Sequence, residues 1–234
     1  LPYFVFNGVD SRSMGVRLAV YPPLFRAPER VDSVTVPGRP GTLHLLEGAD
    51  IRETVVKTFK ISNQRGADMQ AILRWLSGPG LISFGNEPDY AYEGRFIQAI
   101  QADKLYNGVW IMNCQFEAQP FRRLVVEPPA LTLTNGGTIY NPGDIAARPV
   151  LTVTGTGALE LTIGDQTFSV ANIQDSTGYI IDLAAEMLVS SDGEQQLTQY
   201  STGDWMTIQP GTSEVSWTGS GITSITMTQP WRWR

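Results

Sequence analysis

The chain has 234 residues, of which 42% are apolar and 17% charged, so it can bury a core and is neither a disordered nor a coiled-coil sequence. Its net charge of −6 is unevenly held: residues 1–130 carry 14 Lys/Arg against 13 Asp/Glu, and residues 131–234 carry 3 Arg against 10 Asp/Glu. The second half therefore lacks the clustered cations that a nucleic-acid surface requires and suits a solvated outer surface.

Taken in chain order, Tyr3 to Phe6 is a short apolar strand closed by the turn pair Asn7-Gly8. Val31 to Val36 and Thr42 to Leu46 are extended runs on either side of Pro37-Gly38-Arg39-Pro40-Gly41, which predicts a long hairpin. Thr54 to Ile61 is β-branched and aromatic and reads as a core strand. From Gly66 to Ser77, Met69, Ile72, Leu73 and Leu76 recur at helical spacing, and Gly78-Pro79 stops the helix. Leu81 to Phe84, Glu93 to Ile100 and Val109 to Ala118 return to strand character. In the last of these Trp110, Met112, Cys114 and Phe116 alternate with Ile111, Asn113, Gln115 and Glu117, which predicts that the first set is buried.

Pro120, Pro128 and Pro129, with Arg122-Arg123 before and a Thr/Gly-rich stretch after, predict a domain boundary, giving domains 1–129 and 130–234. Beyond it lie short strands: Leu131–Thr134, Val150–Thr154, Leu159–Ile163, Thr167–Val170, Tyr179–Leu183, Glu214–Thr218 and Ile222–Thr228. Turn signals such as Asn135-Gly136-Gly137, Gly164-Asp165, Asp192-Gly193 and Gly219-Ser220-Gly221 separate them, the pattern of a β-sandwich.

Catalytic options are few. A His-based triad or dyad has to use His44, the single histidine, which lies mid-strand in the hairpin and reads as a surface or interface residue. One His and one Cys cannot supply a histidine–thiolate metal site. Cys114 falls on the inward register and reads as a small buried hydrophobe; alone it makes no disulfide, which fits folding in a reducing cytoplasm. Asp165, Asp175, Asp182, Asp192 and Asp204 read as turn residues, and no calcium loop occurs. Gly155-Thr156-Gly157 lacks the third glycine and following helix of a dinucleotide loop. No run reaches the roughly 18–20 apolar residues of a membrane span, and Leu1-Pro2-Tyr3-Phe4-Val5-Phe6 lacks the basic segment and cleavage site of a signal peptide. No cofactor is expected. Carbohydrate binding stays open through Tyr140, Tyr179, Tyr200, Trp205, Trp217, Trp231 and Trp233, with Tyr140, Tyr200 and Trp205 as the candidate contacts.

Several segments, in order, resemble the distal tail proteins of long-tailed, non-contractile bacteriophages (siphoviruses) and related prophages. They are Phe6-Asn7-Gly8-Val9-Asp10-Ser11 with Gly15-Val16; the hairpin tip Val36-Pro37-Gly38-Arg39-Pro40-Gly41; and Trp75-Leu76 followed by Leu81-Ile82-Ser83-Phe84. In the second half they are Asn141-Pro142-Gly143-Asp144 with Arg148-Pro149; Gly203-Asp204-Trp205, Pro210-Gly211 and Val215-Ser216-Trp217-Thr218-Gly219; and the closing Pro230-Trp231-Arg232-Trp233-Arg234. Thr212-Ser213 replaces an Asn common in the family, and Trp205 stands where Phe is commoner. The resemblance implies a mainly β chain: a tail-tube-like N-terminal β-sandwich or barrel with one α-helix and a projecting hairpin, then a galectin-like C-terminal β-sandwich. It implies a non-enzymatic virion protein at the distal end of the tail, forming a hexameric ring through its first domain. That ring joins the tail tube to the tip or baseplate and leaves a channel for DNA without sequence-specific binding. The implied neighbours are the tube protein, the tape measure protein and hub or receptor-binding proteins. In the hairpin, Val34, Val36, Leu43 and Leu45 need a partner surface and are the expected ring interface. The rival expectation is a tail-tip module that contacts host carbohydrate through its second domain.

Overall fold

The computed structural model describes residues 1–24, 27–46, 52–97, 101–106, 108–173, 178–219 and 221–234. The chain divides into two compact units, Leu1–Val125 with Arg234, and Val126–Trp233. The fold is mostly β with a single α-helix among the described residues.

The first unit holds β1 (Phe4–Phe6), β2 (Val9–Asp10), β3 (Val16–Leu18), β4 (Val31–Val34), β5 (Leu43–Leu46), β6 (Val55–Asn63), α1 (Met69–Trp75), β7 (Pro79–Phe84), β8 (Tyr90–Phe96), β9 (Gln101–Tyr106) and β10 (Val109–Leu124). Eight strands form one antiparallel sheet in the order β2-β1-β7-β8-β10-β6-β3, with β9 beside the start of β10; β4 and β5 pair only with each other. The opening segment has a local physical account. Asn7 and Gly8 take positive φ of 49° and 79°, the turn that a two-residue hairpin needs. The Asn7 carboxamide oxygen then accepts from Leu81 N at 2.9 Å, tying that turn to β7. Buried Ser11 closes the β1–β2 end by accepting from Phe4 N.

The helix is shorter than its periodicity predicts. Gly66 has φ +89°, outside the helical region, and Asp68 caps the first turn by accepting from Gln70 N and Ala71 N. Ile72 and Leu76 are buried, Met69, Leu73 and Trp75 pack at the rim, and the Trp75 indole donates to Phe6 O at 3.2 Å. Inside the sheet, Phe6, Phe96 and Phe116 meet edge to face with centroids 5.1–6.1 Å apart. The alternation in β10 buries Met112, Cys114 and Phe116 completely. Trp110 is only half-buried because it lies ahead of that core, with the Lys104 ammonium 6.0 Å from its ring centre. β10 continues through Arg122 and Arg123, which pair with Tyr92 and Ala91 after a register shift. The predicted strand from Glu93 ends at Phe96 among the described residues; its last three positions, 98–100, lie outside them.

The second unit contains β11 (Leu131–Thr132), β12 (Gly137–Asn141), β13 (Val150–Gly155), β14 (Gly157–Ile163), β15 (Gln166–Ile173), β16 (Tyr179–Asp182), β17 (Met187–Ser190), β18 (Ser201–Gly203), β19 (Gly211–Thr218) and β20 (Ile222–Met227), with one turn of 3-10 helix at Thr198–Tyr200. They form two five-stranded antiparallel sheets, β11-β20-β13-β16-β17 and β12-β19-β14-β15-β18. The inward residues of both meet in one core, with Leu151, Val153, Ile181 and Ile225 from the first and Ile139, Leu161, Phe168 and Val215 from the second, which makes a β-sandwich. Asn141, itself buried, stitches a loop to this core by donating to Ile145 O and Ile208 O and accepting from Gly143 N.

Candidate functional site

The hairpin β4–β5 starts from a fixed base. Arg52 is buried and donates to Ala27 O at 2.7 Å and to the Glu29 carboxylate at 3.0 Å, and Glu29 and Arg52 form an isolated β-bridge. At the tip, Val36-Pro37-Gly38-Arg39 closes as a turn with Arg39 N donating to Val36 O at 3.1 Å. Gly38 has φ +80°, the third-position geometry of a type II turn that Pro-Gly provides. The register pairs Val34 with Leu43 and Asp32 with Leu45, so these four share one face. The other face carries Val31, Ser33 and His44, with the Ser33 hydroxyl 3.1 Å from His44 Nδ1.

Among the described residues, the side chains at 31–34 and 43–45 are all exposed. Val34, Val36, Leu43 and Leu45 are 43%, 38%, 38% and 49% exposed. Val36 lies beyond the end of β4, in the turn, and not in a strand. Burying a Val or Leu side chain fully is worth about 1.5–3 kcal/mol, and a little under half of that area is still in water at each of these positions, a bias toward a partner surface that adds up over the four.

The three candidate sugar contacts do not converge. Tyr140 is 65% exposed on β12, whereas Tyr200 and Trp205 flank β18. Those strands are opposite edges of one sheet, roughly 19 Å apart at the usual strand spacing. Trp205 packs on Phe168 with ring centres 4.9 Å apart. Of the remaining aromatics, Tyr179 and Trp231 are buried, and Trp217 and Trp233 pack against the core.

The residues that carry most catalytic chemistry are also dispersed. His44 is on the exposed hairpin, while Cys114 is fully buried and burial pushes its thiol up to about 12. Asp182 accepts from Ala184 N and Ala185 N, both at 2.9 Å, and Asp192 accepts from Glu194 N and the Ser190 hydroxyl, so both act in turns. Asp175 lies outside the described residues. Among the described residues no group of His, Cys, Asp and Glu is placed to hold a metal ion.

One buried charged cluster is not singled out by the sequence patterns. Lys57 points into the first unit from β6, with its ammonium 3.9 Å from the centre of the Tyr92 ring. Glu87 pairs with Arg122 and accepts from the Tyr92 hydroxyl at 3.1 Å. Burial pulls Lys57 down to about 8 and pushes Tyr92 up to about 12. The signal for Lys57 is its register: it sits at the odd positions of β6 with buried Val55, Phe59 and Ile61.

No family model and no curated protein matches the chain. Solved structures do match in fold. One is the SPP1 Dit (gp 19.1) protein, described as a paradigm of the hub adsorption apparatus in phages infecting Gram-positive bacteria. It has a TM-score of 0.68 and 16% identity, covering 98% of both chains. Two others are chains of the phage P2 baseplate in its activated conformation. The one with Ca has a TM-score of 0.52 and 8% identity over 98% of each chain; the one with Sr has 0.51 and 9% over 97% of each. Each likeness spans both units.

Proposed function

We propose that this chain is a non-catalytic structural protein of a long, non-contractile phage tail. In this reading it forms a six-fold ring at the distal end of the tail, between the tube and the tip or baseplate, with a channel through which DNA passes. The hairpin β4–β5 carries the proposal: its apolar residues Val34, Val36, Leu43 and Leu45 are exposed among the described residues and call for another copy. The end-to-end fold likeness to the SPP1 Dit protein supports the same reading. So does the acidic second half, which favours solubility and repels passing DNA. Tube, tape measure and hub or receptor-binding proteins are the proposed neighbours.

Electron microscopy of the purified protein tests this directly. Six-fold particles with a central opening are expected. Isolated monomers at every concentration, or open filaments, would overturn it.

A further inference from the structure

At the end of β6 the first unit has a cavity of about 480 Å³. Its charged lining residues are Arg17 and Arg65, with Ser62, Gln64, Tyr106 and Val109 around them, and no described carboxylate lines it. The backbone places each of these groups. β3 pairs with β6 so that Arg17 stands opposite Ser62, and Arg17 projects away from the core because Val16 and Leu18 point into it. Past β6 the chain turns at Gln64–Ala67: Ala67 N donates to Gln64 O at 3.1 Å and Gly66 has φ +89°, which puts Arg65 at the second position of the turn. Buried Asn63 donates to Gly108 O at 3.0 Å and accepts from Trp110 N at 2.6 Å, tying the turn between β9 and β10 to the end of β6. Tyr106 and Val109 pair at that turn. A side chain at Gly108 would touch Arg65 Cγ at 3.6 Å, so the stem of Arg65 runs past the bare glycine.

The charges here are unusual for this unit. Arg12, Arg52 and Arg122 each pair with a carboxylate. Arg17 and Arg65 have no ion-pair partner among the described residues. Asp68, three residues past Arg65, is engaged as the cap of α1, and Asp103 lies opposite Ile111 on β9, three strands from Arg17. Lys60 adds a further exposed cation on the same side of β6, about 7 Å along the strand from Ser62. Guanidinium forks in such a place fit phosphate and carboxylate alike. The Tyr106 ring, 61% exposed, favours phosphate: an aromatic face beside a phosphate site is a platform on which a nucleic-acid base stacks, and a carboxylate side chain has no use for it.

We infer that this cavity binds a nucleic-acid strand, with Arg17 and Arg65 on its phosphates and Tyr106 against a base. Such contacts hold the backbone without reading sequence. The site is complete within one copy, so it does not depend on the ring reading.

Fluorescence anisotropy with the full chain and a labelled oligothymidylate of about eight nucleotides tests this. At about 50 mM salt the Arg17→Gln/Arg65→Gln double variant should bind about 10-fold or more weakly than the natural chain, and its slope of log affinity against log salt should be shallower by about 1.4, from two phosphate contacts. Tyr106→Ala should weaken the oligonucleotide about five-fold or more and leave competition by inorganic phosphate unchanged. Arg74→Gln, on α1 outside the cavity, should bind like the natural chain. Iodouridine in the probe should photo-cross-link to Tyr106 of the natural chain, and this result decides if a variant fails to fold. No binding by the natural chain, an equal loss in Arg74→Gln, or cross-links that never include Tyr106 overturns the inference. Inorganic phosphate or a polyglutamate peptide binding as tightly as the oligonucleotide also overturns it, since the site then takes a free anion or an acidic protein. A monomer that binds DNA keeps this inference and sinks the ring reading; a ring that binds none does the reverse.

Discussion

The hairpins β4–β5 and β14–β15 are made of similar material and end differently. Both are antiparallel pairs with a glycine at the turn and apolar residues gathered on one face, which in β4–β5 also carries Asp32. In β14–β15, Leu159, Leu161, Ile163, Phe168 and Val170 are at most 2% exposed because the opposite sheet of the second unit lies over them. In β4–β5, every side chain described is exposed. Alternation specifies which residues share a face; a second layer decides whether that face is buried. The second unit supplies its own layer within the chain. In the first unit no described strand lies over the hairpin, which is the physical reason to look for another copy.

The largest effects separate the two cores. Phe116→Ala and Phe168→Ala each remove a buried aromatic ring from one unit, at a cost of about 3–5 kcal/mol. Thermal unfolding should show each variant shifting mainly the transition of its own unit. A single common shift for both would break the contrast between them.

A smaller effect probes the first unit alone. Lys57 titrates near 8 in the folded chain against 10.5 when unfolded. Between those values the unfolded chain holds more protons, so stability rises with pH through this window and is lowest below it. The Lys57 contribution between pH 8 and 9 is about 1 kcal/mol. It is read as the difference between the natural chain and Lys57→Met in denaturant titrations. Above pH 9 the raised Cys114 and Tyr92 groups act in the opposite direction, since their unfolded forms deprotonate first. Identical pH profiles for the two proteins would remove Lys57 from the account.

The sequence pattern carries much of this fold, unevenly. The helix and β10 are legible because their apolar residues keep one period over several turns or strand pairs. The hairpin is legible from its Pro-Gly tip, and the buried thiol of Cys114 from its register. By contrast β3 (Val-Arg-Leu), β9 (Gln101–Tyr106) and β18 (Ser-Thr-Gly) are too short or too polar to announce themselves. They are strands because a neighbouring strand bonds to them, and pairing is not written in local composition. β12 and β17 were hidden for a related reason, each lying against a turn signal that also punctuates the chain. The proposed sugar contacts fail to converge because of the sheet order: Tyr140 and Trp205 read alike as exposed aromatics until it sets them on opposite edges.

The most direct measurement is the solution mass of the natural chain beside a variant with Val34→Lys and Leu45→Lys. These positions are already exposed, so the variant should keep the unfolding transitions of the natural chain within about 0.5 kcal/mol. The account predicts a particle of about 154 kDa for the natural chain, six copies of 25.7 kDa, and a 25.7 kDa monomer for the variant. The same mass for both proteins would contradict it.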